Sequence, residues 1–235
     1  MNASHAVQDT LKSSELFLFS WNVLKGKREG WHEDFYRIAA QADLVLFQEA
    51  LLHDAFYDRL GQRLAWQASA GYSRFNRHSG VLTAATANSY RTQRLQQREP
   101  VLRSPKAALI TEYALLDSLR TLLVANIHAI NFTWGLKHFQ QQLDEVFAII
   151  AAHSGPVLLA GDFNVWRGKR MQLVQALARS VGMMEMDFEQ DHRTMAFKYP
   201  LDHIFYKGLI KKESAVHKVT TSDHNPITAL FSVLA

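Results

Sequence analysis

The chain has 235 residues, 48% of them hydrophobic and 11% aromatic, enough to fill a core and too much for global disorder. It contains no cysteine, which excludes disulfides, thiolate nucleophiles, iron–sulfur clusters and cysteine-based zinc sites. Lys and Arg number 26 against 22 Asp and Glu, and the resulting +4 reads as ordinary solubility with a weak leaning toward anionic partners.

Residues 1–14 are polar and lack the basic start and apolar run of a signal peptide. They are expected to form a loose leader before a single domain over 15–235. No stretch of 18 apolar residues occurs, so no membrane span is expected, and the missing cysteines suit a cytoplasmic location.

The run ELFLFSWN (15–22) is short, apolar and aromatic, as a buried strand is. Residues 32–41 read as a helix, and DLVLFQE (43–49) as a second buried strand. Apolar residues at 52, 56, 60 and 64 mark one face of a helix. A strand follows over 80–86. Residues 91–106 carry Arg91, Arg94, Arg98, Arg103 and Lys106, interrupted by Pro100 and Pro105, and could line the rim of a site, with a solvated face as the plainer reading. Strands are expected over 107–116 and 119–130, with a turn at Asp117-Ser118. Leu136, Phe139, Leu143, Val146, Phe147 and Ile150 fall at helical spacing, and Gly155-Pro156 ends that helix. A wholly apolar strand over 156–161 precedes a helix over 168–181. Residues 185–200 read as irregular, and 204–206 and 227–233 as the last strands. Most strands are apolar throughout and helices alternate with them only in places. That pattern predicts an α/β fold of mixed sheets with outer helices.

Polar residues cluster at the ends of these strands: Asn22, Glu49, Asn126 with His128, Asp162 with Asn164, Asp202 with His203, and Asp223 with His224 and Asn225. Singly, each has a plainer reading as a turn former, a surface acid or a satisfied core histidine. As a set they are costly to place near a core without a purpose. Asn22, Glu49, Asp162, Asn164 and Asp223 offer only oxygen donors, which suits Mg²⁺ or Mn²⁺ rather than zinc. His128 and His224 add groups for proton transfer or phosphate binding. A divalent cation with imidazoles and carboxylates is equipment for hydrolysing phosphate esters.

The segments SWNV (20–23), QE (48–49), SGV (79–81), NIH (126–128), GDFN (161–164), LDHIF (201–205) and SDHNPI (222–227) resemble the endonuclease/exonuclease/phosphatase superfamily, over nearly the whole chain. REPVLRSPKAAL (98–109), NIHAINF (126–132), HSGPVLLAGDFN (153–164) and SDHNP (222–226) are most similar to its YafD-like bacterial members. The resemblance implies a four-layered α/β sandwich, two mixed, mostly antiparallel sheets face to face with helices outside. It implies that Glu49 is the main metal ligand, assisted by Asn22 and Asp223. Asp162 would orient or deprotonate water, Asn164 would hold a phosphate oxygen or that water, and His224, hydrogen-bonded to Asp202, would contact the scissile phosphate. His128 stands where some relatives have His and others Tyr, and Asn131 where some nucleases have a phosphate-contacting amide.

Trp166, Arg167, Lys169 and Arg170 follow GDFN and could meet an anionic substrate or stack on a base, Trp166 otherwise packing on the helix start. The expected activity is a Mg²⁺- or Mn²⁺-dependent phosphodiesterase or nuclease acting on a phosphate ester, nucleic acid among the options, with no protein partner implied. Phosphomonoesters and phospholipids remain alternative substrates, and a non-catalytic binding protein on the same fold is the alternative outside hydrolysis.

Overall fold

The computed structural model describes residues 7–74, 77–99, 105–131, 133 and 135–234. Residues 1–6 of the expected leader, and Pro100 and Arg103 of the basic stretch, lie outside the described residues.

In chain order, β1 is Thr10–Leu11, β2 Leu16–Asn22, α1 Trp31–Ala39, β3 Leu44–Leu51, α2 Asp54–Tyr57, β4 Ala65–Arg74 and β5 Arg77–Ala85. Then come β6 (Arg91–Arg98), β7 (Pro105–Leu115), β8 (Thr121–His128), α3 (Lys137–Ala152), β9 (Val157–Asp162) and α4 (Gly168–Ser180). The chain ends with β10 (Met184–Glu185), β11 (Met195–Ala196), β12 (Tyr199–Pro200), β13 (Asp202–Lys207), β14 (Leu209–Val216) and β15 (Ile227–Val233).

One sheet runs β14-β15-β2-β3-β5-β4 and the other β1-β7-β8-β9-β13-β10, with β6 also paired to β7. β2 with β3, β8 with β9 and β1 with β7 are parallel, while the other pairs are antiparallel. Leu16, Leu18, Leu44 and Leu46 of one sheet meet Leu122, Val124, Leu158 and Ile204 of the other in a shared interior. The outer face of the β8–β9 sheet is covered by Phe139, Leu143, Val146, Phe147 and Ile150 of α3 and by Val174 and Ala178 of α4. The other outer face is covered by Trp31, Phe35 and Ala39 of α1, spaced four apart on one helix stripe, and by Phe56. The result is the four-layered α/β sandwich. Apolar strands result because both faces of each sheet are covered.

Four segments differ from the sequence expectation. The leader is tied down from Gln8, which bridges to Ala87, and Leu11 is buried within β1. Residues 52–64 form only the four-residue α2 and a 3₁₀ turn over 58–60, closed by Gly61 at φ +73°, although Phe56, Leu60 and Leu64 are buried on one side as the spacing implied. The basic stretch from Arg91 to Arg98 is an edge strand, alternating exposed and half-buried residues along β6. The irregular 185–200 segment contains the β11–β12 hairpin.

The topology brings the polar strand ends to one rim. Parallel strands β2, β3, β8 and β9 contribute their C-terminal ends, while antiparallel β13 and β15 contribute their starts. His128 lies in register with Asp162, and Asp162 with Asp202. Gly161 is needed for this close approach: a Cβ there, at φ +141°, would sit 2.1 Å from the Ile127 carbonyl oxygen.

Candidate active site

Asp162, the last residue of β9, is buried at the centre of the rim. Its Oδ2 accepts from Asn22 Nδ2 at 3.0 Å and its Oδ1 from the Asn164 backbone N–H at 3.0 Å. His128 Nε2 lies 3.5 Å and His224 Nε2 3.9 Å from Asp162 Oδ2. His224 Nδ1 donates to Asp202 Oδ2 at 2.7 Å, which leaves Nε2 toward Asp162. Glu49 Oε1 lies 4.0 Å from His128 Nε2. Residues spread over two hundred positions thus meet within a few ångströms.

Backbone geometry aims them. Glu49 sits where the β3–β5 pairing shifts register, and takes φ +53°, a left-handed conformation that a side chain disfavours. Asn164 is likewise at φ +50°. The Asp223–Asn225 loop is stapled from several sides. Trp21 Nε1 donates to the His224 carbonyl at 2.8 Å, Ser222 Oγ donates to the Asn22 carbonyl at 2.7 Å, and Thr194 Oγ1 donates to the Asp223 carbonyl at 3.0 Å.

Charge states follow from the surroundings. Burial opposes charging of His224, but Asp202 and then Asp162 outweigh it and raise the imidazole to about 10. Burial raises Asp162, with His224 opposing and Asp202 adding to the rise. Burial, then the charges of Lys106, His224 and Lys25, hold His128 well below the usual imidazole range. His128 is therefore neutral, and its approach to Asp162 is not an ion pair.

Two lysines reach the rim that motif reading did not single out as site residues. Lys25 Nζ lies 2.9 Å from Glu49 Oε2, and Lys106 Nζ lies 2.7 Å from His128 Nε2. The only sequence signal was proximity, Lys25 three residues beyond Asn22 and Lys106 at the start of β7.

Several expected residues have different surroundings from those anticipated. Arg170, expected at the substrate, is 1% exposed. Its guanidinium donates to the carbonyls of Ile130, Asn164 and Asn131 and to Thr133 Oγ1, so it pins two loops together from beneath. Asn131 uses its backbone carbonyl for Arg170 and its backbone N–H for Glu99. The Asn164 side-chain amide donates to the Ala129 carbonyl at 2.9 Å, so the contact with Asp162 comes from its backbone. Trp166 lies against the guanidinium groups of Arg167 and Arg170, 4.1 and 4.9 Å from its ring, and among the described residues its buried Nε1 has no hydrogen-bond partner. Asn126 is absorbed by the sheets, donating to the carbonyls of Phe47 and Leu82 and accepting from Gln48. His203 is buried against Glu185 and the Pro200 carbonyl.

The expected metal ligands Asn22, Glu49 and Asp223 do not form a closed ring. Among the described residues no group of three His, Asp or Glu is arranged to hold a metal ion. The Asn22 amide is engaged by Asp162 and by the Leu24 N–H, and Asp223 is exposed, its Oδ1 3.3 Å from Ser222 Oγ. Glu49 nevertheless fits a cation. Among the described residues its buried Oε2 has no aligned hydrogen bond, the Lys25 ammonium lies 2.9 Å away, and a carboxylate is the hard oxygen donor that a divalent ion takes.

Residues 19–224 match the Endonuclease/Exonuclease/phosphatase family. The chain belongs to this family. It is 37% identical over 231 residues to a UPF0294 protein of Vibrio vulnificus, covering 94% of this chain and 78% of that one. A UPF0294 protein of Yersinia pseudotuberculosis is 39% identical over 226 residues, covering 95% and 86%. Among solved structures, the endonuclease/exonuclease/phosphatase from Beutenbergia cavernae superposes with a TM-score of 0.72 at 12% identity, over 94% of this chain and 72% of that chain. The human Nocturnin catalytic domain, with bound sulfate anion, superposes with a TM-score of 0.67 at 17% identity, over 95% and 96%. These distant likenesses concern the fold. Family membership makes a phosphoesterase-type hydrolase the coarse functional class.

Proposed function

We propose that this family member is a divalent-metal-dependent phosphodiesterase that hydrolyses its substrate by in-line attack of water on phosphorus, with nucleic acid as the leading substrate class. The observation that carries the reading is the pairing of a buried Asp162, fixed by Asn22 and Asn164, with a protonated His224 that Asp202 holds 2.7 Å away on its far side. Asp162 presents an acceptor for a water proton. A carboxyl raised by burial is a better base than an exposed one. His224 presents Nε2–H to a phosphate oxygen and stabilises charge gathering there in the transition state. Its partner Asp202 keeps the ring charged and oriented.

Glu49, assisted by Asn22 and Asp223, would hold the divalent cation. Bound there, Mg²⁺ or Mn²⁺ supplies Lewis-acid stabilisation of the phosphate and leaving oxygens.

Support for an extended substrate comes from beside the rim. Thr133, Leu136, Trp166, Arg167 and Lys169 line a hollow of about 640 Å³. Its cations and aromatic face suit the phosphates and bases of a strand.

The test is a panel of single- and double-stranded DNA, RNA, bis-p-nitrophenyl phosphate, inositol phosphates and sphingomyelin, assayed with Mg²⁺ or Mn²⁺ and with EDTA. Metal-dependent cleavage of diesters supports the reading. EDTA-insensitive turnover, or inactivity on every diester, contradicts it.

A further inference from the structure

The rim collects Glu49, Asp162, Asp202 and Asp223, yet a phosphodiester arriving there is itself an anion. Two of the cations present already have carboxylate partners: Lys25 with Glu49 at 2.9 Å, and His224 with Asp202 at 2.7 Å. Lys106 differs. Among the described residues it forms no ion pair, and its hydrogen-bond partner is the ring of His128, 2.7 Å away.

The geometry fixes the direction of that bond. An ammonium has donors and no lone pair, so His128 Nε2 must accept and the ring proton must sit on Nδ1. An ammonium that donates one N–H to an imidazole nitrogen has two further N–H donors. Because β7 and β8 are antiparallel neighbours, the start of β7, which carries Lys106, lies beside the end of β8, which carries His128. The charge therefore projects from two paired strands rather than from a loose loop, and its field reaches Asp162.

We propose that Lys106 contacts a non-bridging oxygen of the scissile phosphate, and that His128 is the positioning residue that holds it there. This deepens the phosphodiesterase reading above and depends on it for the identity of the substrate. On this assignment Lys106 offsets the repulsion between the substrate and the rim carboxylates. It is a catalytic residue by contact, while His128 acts through it.

The test compares wild type with Lys106→Met and Lys106→Arg on bis-p-nitrophenyl phosphate, which is charged, and on its uncharged methylphosphonate analogue. Lys106→Met is expected to lower kcat/KM about 10²-fold on the charged diester, as loss of an ionic hydrogen bond to the reacting group does, and no more than about 3-fold on the neutral one. Lys106→Arg should recover most of the loss. His128→Leu should reproduce the charge-selective loss, and His128→Gln, which retains an acceptor, should soften it. Equal losses on both substrates, or none on the charged one, would overturn the proposal.

Should wild type hydrolyse neither ester, the hydrolase reading fails, and Lys106 is then judged by calorimetric binding of inorganic phosphate. About 10-fold weaker binding in Lys106→Met upholds the anion site. Unchanged affinity, or no binding by wild type, overturns it.

Discussion

His224 Nδ1 donates to Asp202 Oδ2 across 2.7 Å, joining the loop before β15 to the first residue of β13. The fold and the site share this bond, so it has a signature in stability. Folding raises the imidazole from 6.5 to about 10, since Asp202 and Asp162 outweigh the cost of burial. A base raised in the folded state contributes stability that is complete below its unfolded value and lost as pH climbs through the folded one. In chelator-treated protein, Asp202→Asn should therefore cost about 3 kcal/mol at pH 6, the scale of a broken buried ion pair. That deficit should shrink as pH rises toward 10, measured by denaturant unfolding. An equal deficit at pH 6 and pH 10 would contradict the pairing.

Arg170 should behave as a structural residue. Four oxygens accept from its guanidinium in the interior. Arg170→Met removes these bonds, leaves the buried Ile130 carbonyl unpaired by the guanidinium, and should lower stability by about 3 kcal/mol. Arg170→Lys should recover little, because an ammonium lacks the planar fork. Wild-type stability with only a raised KM would return Arg170 to the substrate.

Gly161 tests how the two motif strands are held. Gly161→Ala drives a methyl into the Ile127 carbonyl, 2.1 Å from the ideal Cβ. Forcing β8 and β9 apart should cost about 3 kcal/mol and disturb the His128–Asp162 register, lowering activity even in the folded fraction. Thermal unfolding and turnover per folded molecule measure the two effects. A stable, fully active variant would show that the strands tolerate separation.

Much of the site could be read from sequence because its residues lie in the rim's own motifs. Asp162, His224, Asp202 and Glu49 each follow or precede an apolar run that reads as a buried strand, which marked them as strand-end residues, and the resemblance of their motifs to the family implied that they meet. Less could be read where polarity hides structure. β14 (LIKKESAV) and β6 (RTQRLQQR) are edge strands with solvated faces, and neither shows the apolar run of a central strand. β4 was also missed, its Gly and polar residues masking a strand. Arg170 was named for the substrate, and its bonds to backbone carbonyls could not be foreseen, because a basic residue after GDFN looks the same in sequence whether it faces substrate or carbonyls. Lys106 gave no signal beyond its place in the basic stretch, because its partner, His128, is brought to it only by the β7–β8 pairing.

Metal dependence should show in binding as well as rate. Mg²⁺ or Mn²⁺ should raise the melting temperature of wild type by mass action, and Glu49→Gln should abolish that rise. A metal-induced shift of equal size in Glu49→Gln would place the ion elsewhere.

The most direct measurement is kcat of Asp162→Asn on bis-p-nitrophenyl phosphate at saturating Mn²⁺, with folding verified. The amide preserves shape but cannot accept the water proton as a carboxylate does. A fall of about 10²-fold or more is the expected result. Turnover close to wild type would remove Asp162 from the chemistry and with it the water-attack mechanism.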